Sequence, residues 1–279
     1  MEYDGYKLLR IQRDGKILTA IIDAPPINVM TMELFGELAR LSQDLERDPD
    51  TLVFLLKSAD PDFFIAHFDV SAILSFPIEQ PPSRETSAEN AFHAMCARFA
   101  SMNKVTIAQI EGRVGGGGSE LSMNFDMRFG VRGRTIVNQM EVPLGIIPGG
   151  SGTQMMPRLI GRNRAMEVIL GGIDLDADTA ERWGYLNRAL EAAEINSFVS
   201  VFAHRIASFP TEAVRAAKKS ICSVSAPMQE GLAQESHLFQ ELIRTAAARS
   251  LMQKFLNHGG QTREVELNIA TATARFSAS

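Results

Sequence analysis

Residues 105–126 read VTIAQIEGRVGGGGSELSMNFD. The β-branched apolar run Val105–Ile110 predicts a buried strand, which Glu111–Gly112 ends. Four glycines, Gly115 to Gly118, come next, and the Ser119–Met123 stretch then opens a predicted helix. A strand, a glycine turn and a helix in that order leave main-chain N–H groups unpartnered at a positive helix end. Such groups can polarise an oxygen that gains negative charge. Glu120 stands two residues after the last glycine, close enough to act on a group held there.

Glycine runs serve several chemistries, and this one excludes three of them. No Gly-Lys-Ser/Thr follows, so it is not a phosphate loop. A dinucleotide frame starting at Gly115 would put Glu120 where its third glycine belongs. Ser119 lacks the glycine two residues later that a nucleophile elbow needs. A plain turn with close backbone packing remains open on this stretch alone.

Two further blocks narrow the choice. Residues 140–161 read MEVPLGIIPGGSGTQMMPRLIG, with Glu141 before a Pro-containing apolar stretch, a second glycine turn at 149–152 and Thr153 near a helix start. Residues 62–70 read DFFIAHFDV, with Asp69 after a short apolar run. The three blocks, in this order and spacing, resemble the crotonase superfamily, also called the enoyl-CoA hydratase/isomerase family. The resemblance runs from the strand at 17–22, through Asn28, to the LNRAL segment at 186–190. It implies an α/β fold, a crotonase-like spiral of ββα repeats with a C-terminal helical region. The expected division is a spiral core at 1–195 and a helical trimerisation region at 196–279.

Composition sets the outer bounds. The chain has 279 residues, 45% of them apolar, enough for a large core. A net charge of −5, with no basic cluster beyond Lys218–Lys219, argues against nucleic acid as a partner. No apolar run approaches the ~20 residues that span a bilayer, and the first residues lack a signal-peptide core. Cys96 and Cys222 form no zinc spacing and the histidines no HxxxH pair, so no metal is expected and a reduced cytoplasm is.

Asp14–Gly15 predicts a hairpin into a strand at 17–22. Thr31 predicts the cap of a helix with Leu34, Leu38, Leu41 and Leu45 on one face, ended by Asp48–Pro49. Leu52–Lys57 predicts another buried strand; strands alternating with helices imply parallel pairing. Residues 76–90 are rich in Pro, Ser and Glu and predict a mobile loop; beyond 195 the pattern is helical, ending in a frayed tail.

The resemblance assigns chemistry to particular positions. Two backbone N–H donors, of Phe68 and Gly117, would form an oxyanion hole for a thioester enolate. Glu120 and Glu141 match the catalytic glutamates of hydratases, where two carboxyl groups around one water activate it and deliver a proton. Ala66, His67, Gly116, Pro148 and Gly149 would border the substrate. Gly149, Gly150 and Gly152 read first as turn geometry, Asp69 and Asp126 as structural carboxylates, and Trp183 and Tyr185 as core. Phe63, Phe64, Phe68 and Met140 suggest an apolar pocket or core. No cofactor is expected, coenzyme A being part of the substrate, and the assembly would be a homotrimer or a dimer of trimers.

The chain departs from the family pattern at three places. His67 stands where glycine is usual, histidine being among the residues that best tolerate a left-handed backbone. Ala24 and Pro26 stand before Asn28 at positions that are usually basic, and His258 replaces a lysine near the C-terminus. Lys57, Arg84 and Lys254 are alternative basic contacts. The leading expectation is hydration of a 2-enoyl-CoA to a 3-hydroxyacyl-CoA. Its alternatives are a double-bond isomerase, a β-dicarbonyl hydrolase, a substrate on a carrier protein or without CoA, and a scaffold without activity.

Overall fold

The computed structural model describes residues 3–76, 90–225, 237, 239, 241 and 245–258. The expected loop at 76–90, Arg84 within it and the C-terminal tail lie almost wholly outside the described residues. The chain divides into two units, Met1–Met102 with Thr106–Val199, and Asn103–Val105 with Ser200–Ser279.

Among the described residues the first unit carries ten strands: β1 (Leu9–Asp14), β2 (Ile17–Ile22), β3 (Val53–Ser58), β4 (Phe63–Ile65), β5 (Val105–Ile110), β6 (Arg113–Gly115), β7 (Met127–Val131), β8 (Ile136–Asn138), β9 (Leu175–Asp176) and β10 (Arg188–Leu190), Val105 alone falling in the other unit. They form a six-stranded sheet in the order β1-β2-β3-β5-β7-β10 and a four-stranded sheet in the order β4-β6-β8-β9. In the successive pairs β3–β4, β5–β6 and β7–β8, the first strand enters the larger sheet and the second the smaller. This is the expected spiral of ββα units. The β1–β2 hairpin is antiparallel, and β2 pairs β3 in parallel, Leu18 opposite Phe54.

Helix α1 (Met32–Arg47) forms as its spacing demands. Thr31 accepts the Leu34 N–H at its start, and Leu34, Leu38, Leu41 and Leu45 are wholly buried. Their stripe joins Leu18, Ile22, Phe54 and Leu56 in one core. Phe54, Phe99 and Phe125 add a ring cluster with centroids 5.1–5.9 Å apart.

The smaller sheet positions the site. β4, β6 and β8 are mutually parallel, so residues 66–68, 116–120 and 139–141 all emerge at one edge. Open parallel sheets bind ligands beyond the carboxyl ends of their strands. Asn28, in the left-handed region at φ 50°, secures that edge. Its buried amide donates to Ser58 Oγ and to the carbonyls of Phe63 and Phe64, and its Oδ1 accepts the Ala24 N–H.

One boundary differs from expectation. The helix after the glycines, α4, spans Gly116–Met123 rather than starting at Ser119, so three of the four glycines lie inside its first turn. Close packing is the reason. A Cβ on Gly118 would sit 2.6 Å from Ile65 Cβ and 2.7 Å from the Ile65 carbonyl, so only a bare backbone lets the helix lie against β4. The remaining helices of this unit are α2 (Val70–Leu74), α3 (Ala91–Ser101), α5 (Gly152–Ile160), α6 (Arg162–Gly171) and α7 (Ala177–Trp183). α8 (Ile195–Ala207) begins in it and continues into the second unit, which adds α9 (Thr211–Cys222) and α10 (Ala246–Asn257). There Lys218 Nζ donates to the Lys104 carbonyl at 2.7 Å. Among the described residues no helix is long and apolar enough to cross a membrane.

Candidate active site

The chain leaving β4 forms an isolated parallel bridge between Met30 and Phe68. The Met30 N–H donates to the His67 carbonyl, and the Asp69 N–H to the Met30 carbonyl. In that pattern the intervening Phe68 N–H points away from Met30. Gly117 lies beside this residue: a Cβ there would be 3.6 Å from the Phe68 nitrogen and 3.1 Å from its Cβ. Gly117 belongs to the first turn of α4, whose N–H groups have no intrahelical acceptor. The main chains of Phe68 and Gly117, from separate elements, therefore lie side by side.

Glu120 is on the next turn of α4 and is almost fully buried. Its Oε1 accepts the N–H groups of Gly150 and Gly152, both at 2.7 Å. Burial pushes its carboxyl upward, against the pull of those two donors. The second glycine turn is thus more than a bend: it holds this carboxylate in place. No local signal marks that role, because the two residues are ~30 positions from Glu120 and only the fold joins them.

Glu141 follows β8 and precedes a short 3₁₀ turn, Val142–Leu144. Its Oε1 lies against Gly116, and its Oε2 is buried with no hydrogen-bond partner. Burial, then the charge of Glu120, raises its pKa to about 7; its own amide N–H and His67 oppose the rise. Two carboxyl groups thus face one another in a place that resists charging both.

A cavity of about 480 Å³ opens onto this group, lined by Gly117, Glu120, Glu141, Gly149, Gly150 and the Phe68 side chain. Gly116 adjoins Glu141, whereas buried Pro148 backs Gly152. Ala66 is also buried, with its carbonyl 2.5 Å from where a Cβ on Gly115 would be. Of the other suggested pocket residues, Phe64 belongs to the core, and Phe63 and Met140 do not line the cavity. Phe35, Phe92, Met32, Ile146 and Ile147 do line it, and none of them was singled out in the sequence.

His67 needs no left-handed backbone: among the described residues only Asn28 and Ser151 are non-glycines with positive φ. The His67 carbonyl is engaged by Met30, and its ring Nδ1 meets the Phe68 carbonyl at 2.8 Å. Asp69 caps α2 through the Ser71 N–H, and Asp126 accepts the Thr106 N–H, the structural roles expected of both. Ala24 is half-buried, Pro26 exposed, and His258, just past the end of α10, bonds back to the Lys254 carbonyl. Among the described residues no three His, Cys, Asp or Glu side chains cluster as metal ligands.

The rotation of α4 is fixed from behind. The wholly buried Tyr185 hydroxyl lies 2.9 Å from Ser119 Oγ and 2.8 Å from Ser122 Oγ. Tyr185→Phe leaves two buried hydroxyls short of a partner. The expected result is a loss of ~1–3 kcal/mol, read as a lower urea midpoint.

The enoyl-CoA hydratase/isomerase family model matches residues 12–262. A Rhizobium meliloti protein named a probable enoyl-CoA hydratase is 36% identical over 255 residues, covering 90% of this chain and 96% of its own. The short-chain-enoyl-CoA hydratase of Clostridium acetobutylicum is 27% identical over 248 residues, 88% of this chain and 93% of its own. A crystal structure of an enoyl-CoA hydratase from Bacillus anthracis superimposes with a TM-score of 0.81 at 25% identity, over 90% of this chain and 96% of that one.

Proposed function

The chain belongs to the enoyl-CoA hydratase/isomerase family, and from that premise we propose that it adds water across the 2,3 double bond of a 2-enoyl-CoA thioester. The observation that carries this reading is the pair of buried carboxyl groups, Glu120 and Glu141, at a cavity that Gly117 and Phe68 also line. The thioester oxygen would accept from the Phe68 and Gly117 N–H groups. These donors need no reorganisation as negative charge grows on that oxygen.

The two acids divide the proton work. Glu120, held by two N–H donors, suits the base. It takes a proton from water as the water oxygen bonds to C3 and the π electrons move to the thioester oxygen. Glu141, whose pKa of about 7 keeps it half protonated at neutrality, suits the acid. It gives its proton to C2 as the enolate collapses. One water has then been added, and exchange with solvent returns the proton from Glu120 to Glu141. No further cofactor enters, because coenzyme A arrives as the substrate's own carrier.

Loss of enoyl absorbance with crotonyl-CoA tests the reading. Glu120→Gln is expected to lower kcat by about 10²–10⁴-fold; an unchanged rate would falsify the assignment. Incubation with a 3-enoyl-CoA separates isomerisation, whose product contains no added water. The proposed assembly is a homotrimer or a dimer of trimers, and the proposed location a reduced cytoplasm. Light scattering should give three or six times the chain mass, and a stable monomer would contradict it.

A further inference from the structure

We propose that the acyl end of this cavity selects an uncharged aryl group carried close to the reacting double bond, so that the preferred substrate is an aryl-substituted enoyl thioester rather than a short aliphatic one. This rests on the hydratase reading and deepens it.

The lining is the first observation. Among the described residues, Glu120 and Glu141 are the ionisable side chains lining the cavity, and Asn90 is the other polar side chain there. Against these residues an anionic acyl terminus would be desolvated beside two carboxyl groups, which is costly. At about 480 Å³ the space also exceeds what a four-carbon acyl group fills, and unfilled apolar space forfeits dispersion contacts.

Ring geometry is the second. Phe35 comes from α1, Phe68 from the β4–α2 connection and Phe92 from α3, and all three line the cavity. Phe35 and Phe92 are stacked at 6.0 Å with 10° between their planes. Phe68 stands edge-on to both, at 6.3 Å from each. A phenyl group continuing this pattern gains about 0.5–1.5 kcal/mol beyond the area it buries.

Placement is the third. A Cβ on Gly150 would lie 2.6 Å from the Phe92 ring and 2.6 Å from Glu120 Oε2, and one on Gly117 3.6 Å from the same ring. Phe92 therefore adjoins both the carboxylate and one proposed oxyanion donor. An aryl group that uses this ring must sit on or next to C3.

Calorimetric titration of the full chain with butyryl-CoA, octanoyl-CoA and 3-phenylpropionyl-CoA tests this, because the three unreactive thioesters differ only in the acyl part. The expected order has 3-phenylpropionyl-CoA tightest, and at least about tenfold tighter than butyryl-CoA. Butyryl-CoA binding equally well overturns the proposal, and so does octanoyl-CoA binding tighter than the aryl ligand. Phe92→Leu should cut the aryl-over-butyryl preference to about threefold, with Phe35→Leu as a second variant; a preference unchanged in both sinks the role of the rings. Binding of none of the three overturns the site reading itself. A wrong ranking beside intact Glu120-dependent hydration overturns only this inference.

Discussion

Glu141→Gln lowers kcat for hydration by about 10²–10⁴-fold and removes the alkaline fall in kcat/KM. A proton donor works only while it holds its proton. With a pKa of about 7, the protonated fraction of Glu141 falls about tenfold for each pH unit above neutrality. Wild-type kcat/KM should therefore decline above pH ~7, on the alkaline side of a profile whose acid limb belongs to Glu120. Glutamine cannot donate that proton, so the residual rate loses this limb. Were Glu141 the base instead, activity would rise through pH 7, and that profile would reverse the two roles.

The same shift makes a stability statement with a definite sign. The folded protein binds the Glu141 proton more tightly than the unfolded chain, whose carboxyl stays near 4.5. The contribution is complete below pH ~4.5 and is lost as pH rises through about 7. Glu141→Gln should consequently be more favourable to Tm, relative to wild type, at pH 8 than at pH 5. An unchanged Tm difference between those pH values would show that Glu141 titrates normally.

Gly118→Ala is expected to be the most damaging small change in the first turn of α4. The new methyl would meet Ile65 at Cβ, at Cγ2 and at the carbonyl oxygen, all within 2.8 Å. A flexible side-chain tip could swing away; the Ile65 backbone and its β-branched Cβ cannot. Either α4 lifts off β4 or the residues after β4 are displaced. Overpacking of this kind costs ~1–3 kcal/mol, a fall in Tm of roughly 3–10 °C. Lifting α4 also separates Gly117 from Phe68, so kcat should fall at temperatures where the variant is still folded. Gly133→Ala is the control for glycine loss itself. Gly133 has φ +68° with nothing near its would-be Cβ, so it can lose stability through backbone strain but should keep its kcat. Equal losses of kcat in the two variants would remove the link to close packing.

The elements legible in the sequence are those whose signal is local. Helix α1 announces itself by a leucine every third or fourth residue, and β2, β3 and β5 by mostly apolar runs. Glu120 and Glu141 are legible because each stands beside a distinctive glycine or proline pattern. The three-residue strands β4, β6 and β8 are too short to show a period, yet they aim every loop of the site. The start of α4 is hidden because glycine argues for a turn, while the packing against Ile65 requires glycine within a helix. Phe35 and Phe92 carry no mark of a pocket wall. Phe35 falls off the leucine stripe of α1, and Phe92 gains its position only when α3 meets the second glycine turn, where His93 also bonds the Gly149 carbonyl.

The proposed use of Phe68 and Gly117 through backbone nitrogens alone has a consequence for inheritance and for engineering. Among codon changes only one to proline deletes a peptide N–H, whereas almost any exchange deletes an arginine or a histidine doing the same job. Short of proline, damage to this proposed part of the machinery has to arrive as bulk, through a methyl or larger group wedged between two segments of main chain. Harmful alleles should therefore crowd at glycines with no free volume beside them, while exchanges at position 68 other than proline retune ligand preference and spare the donor.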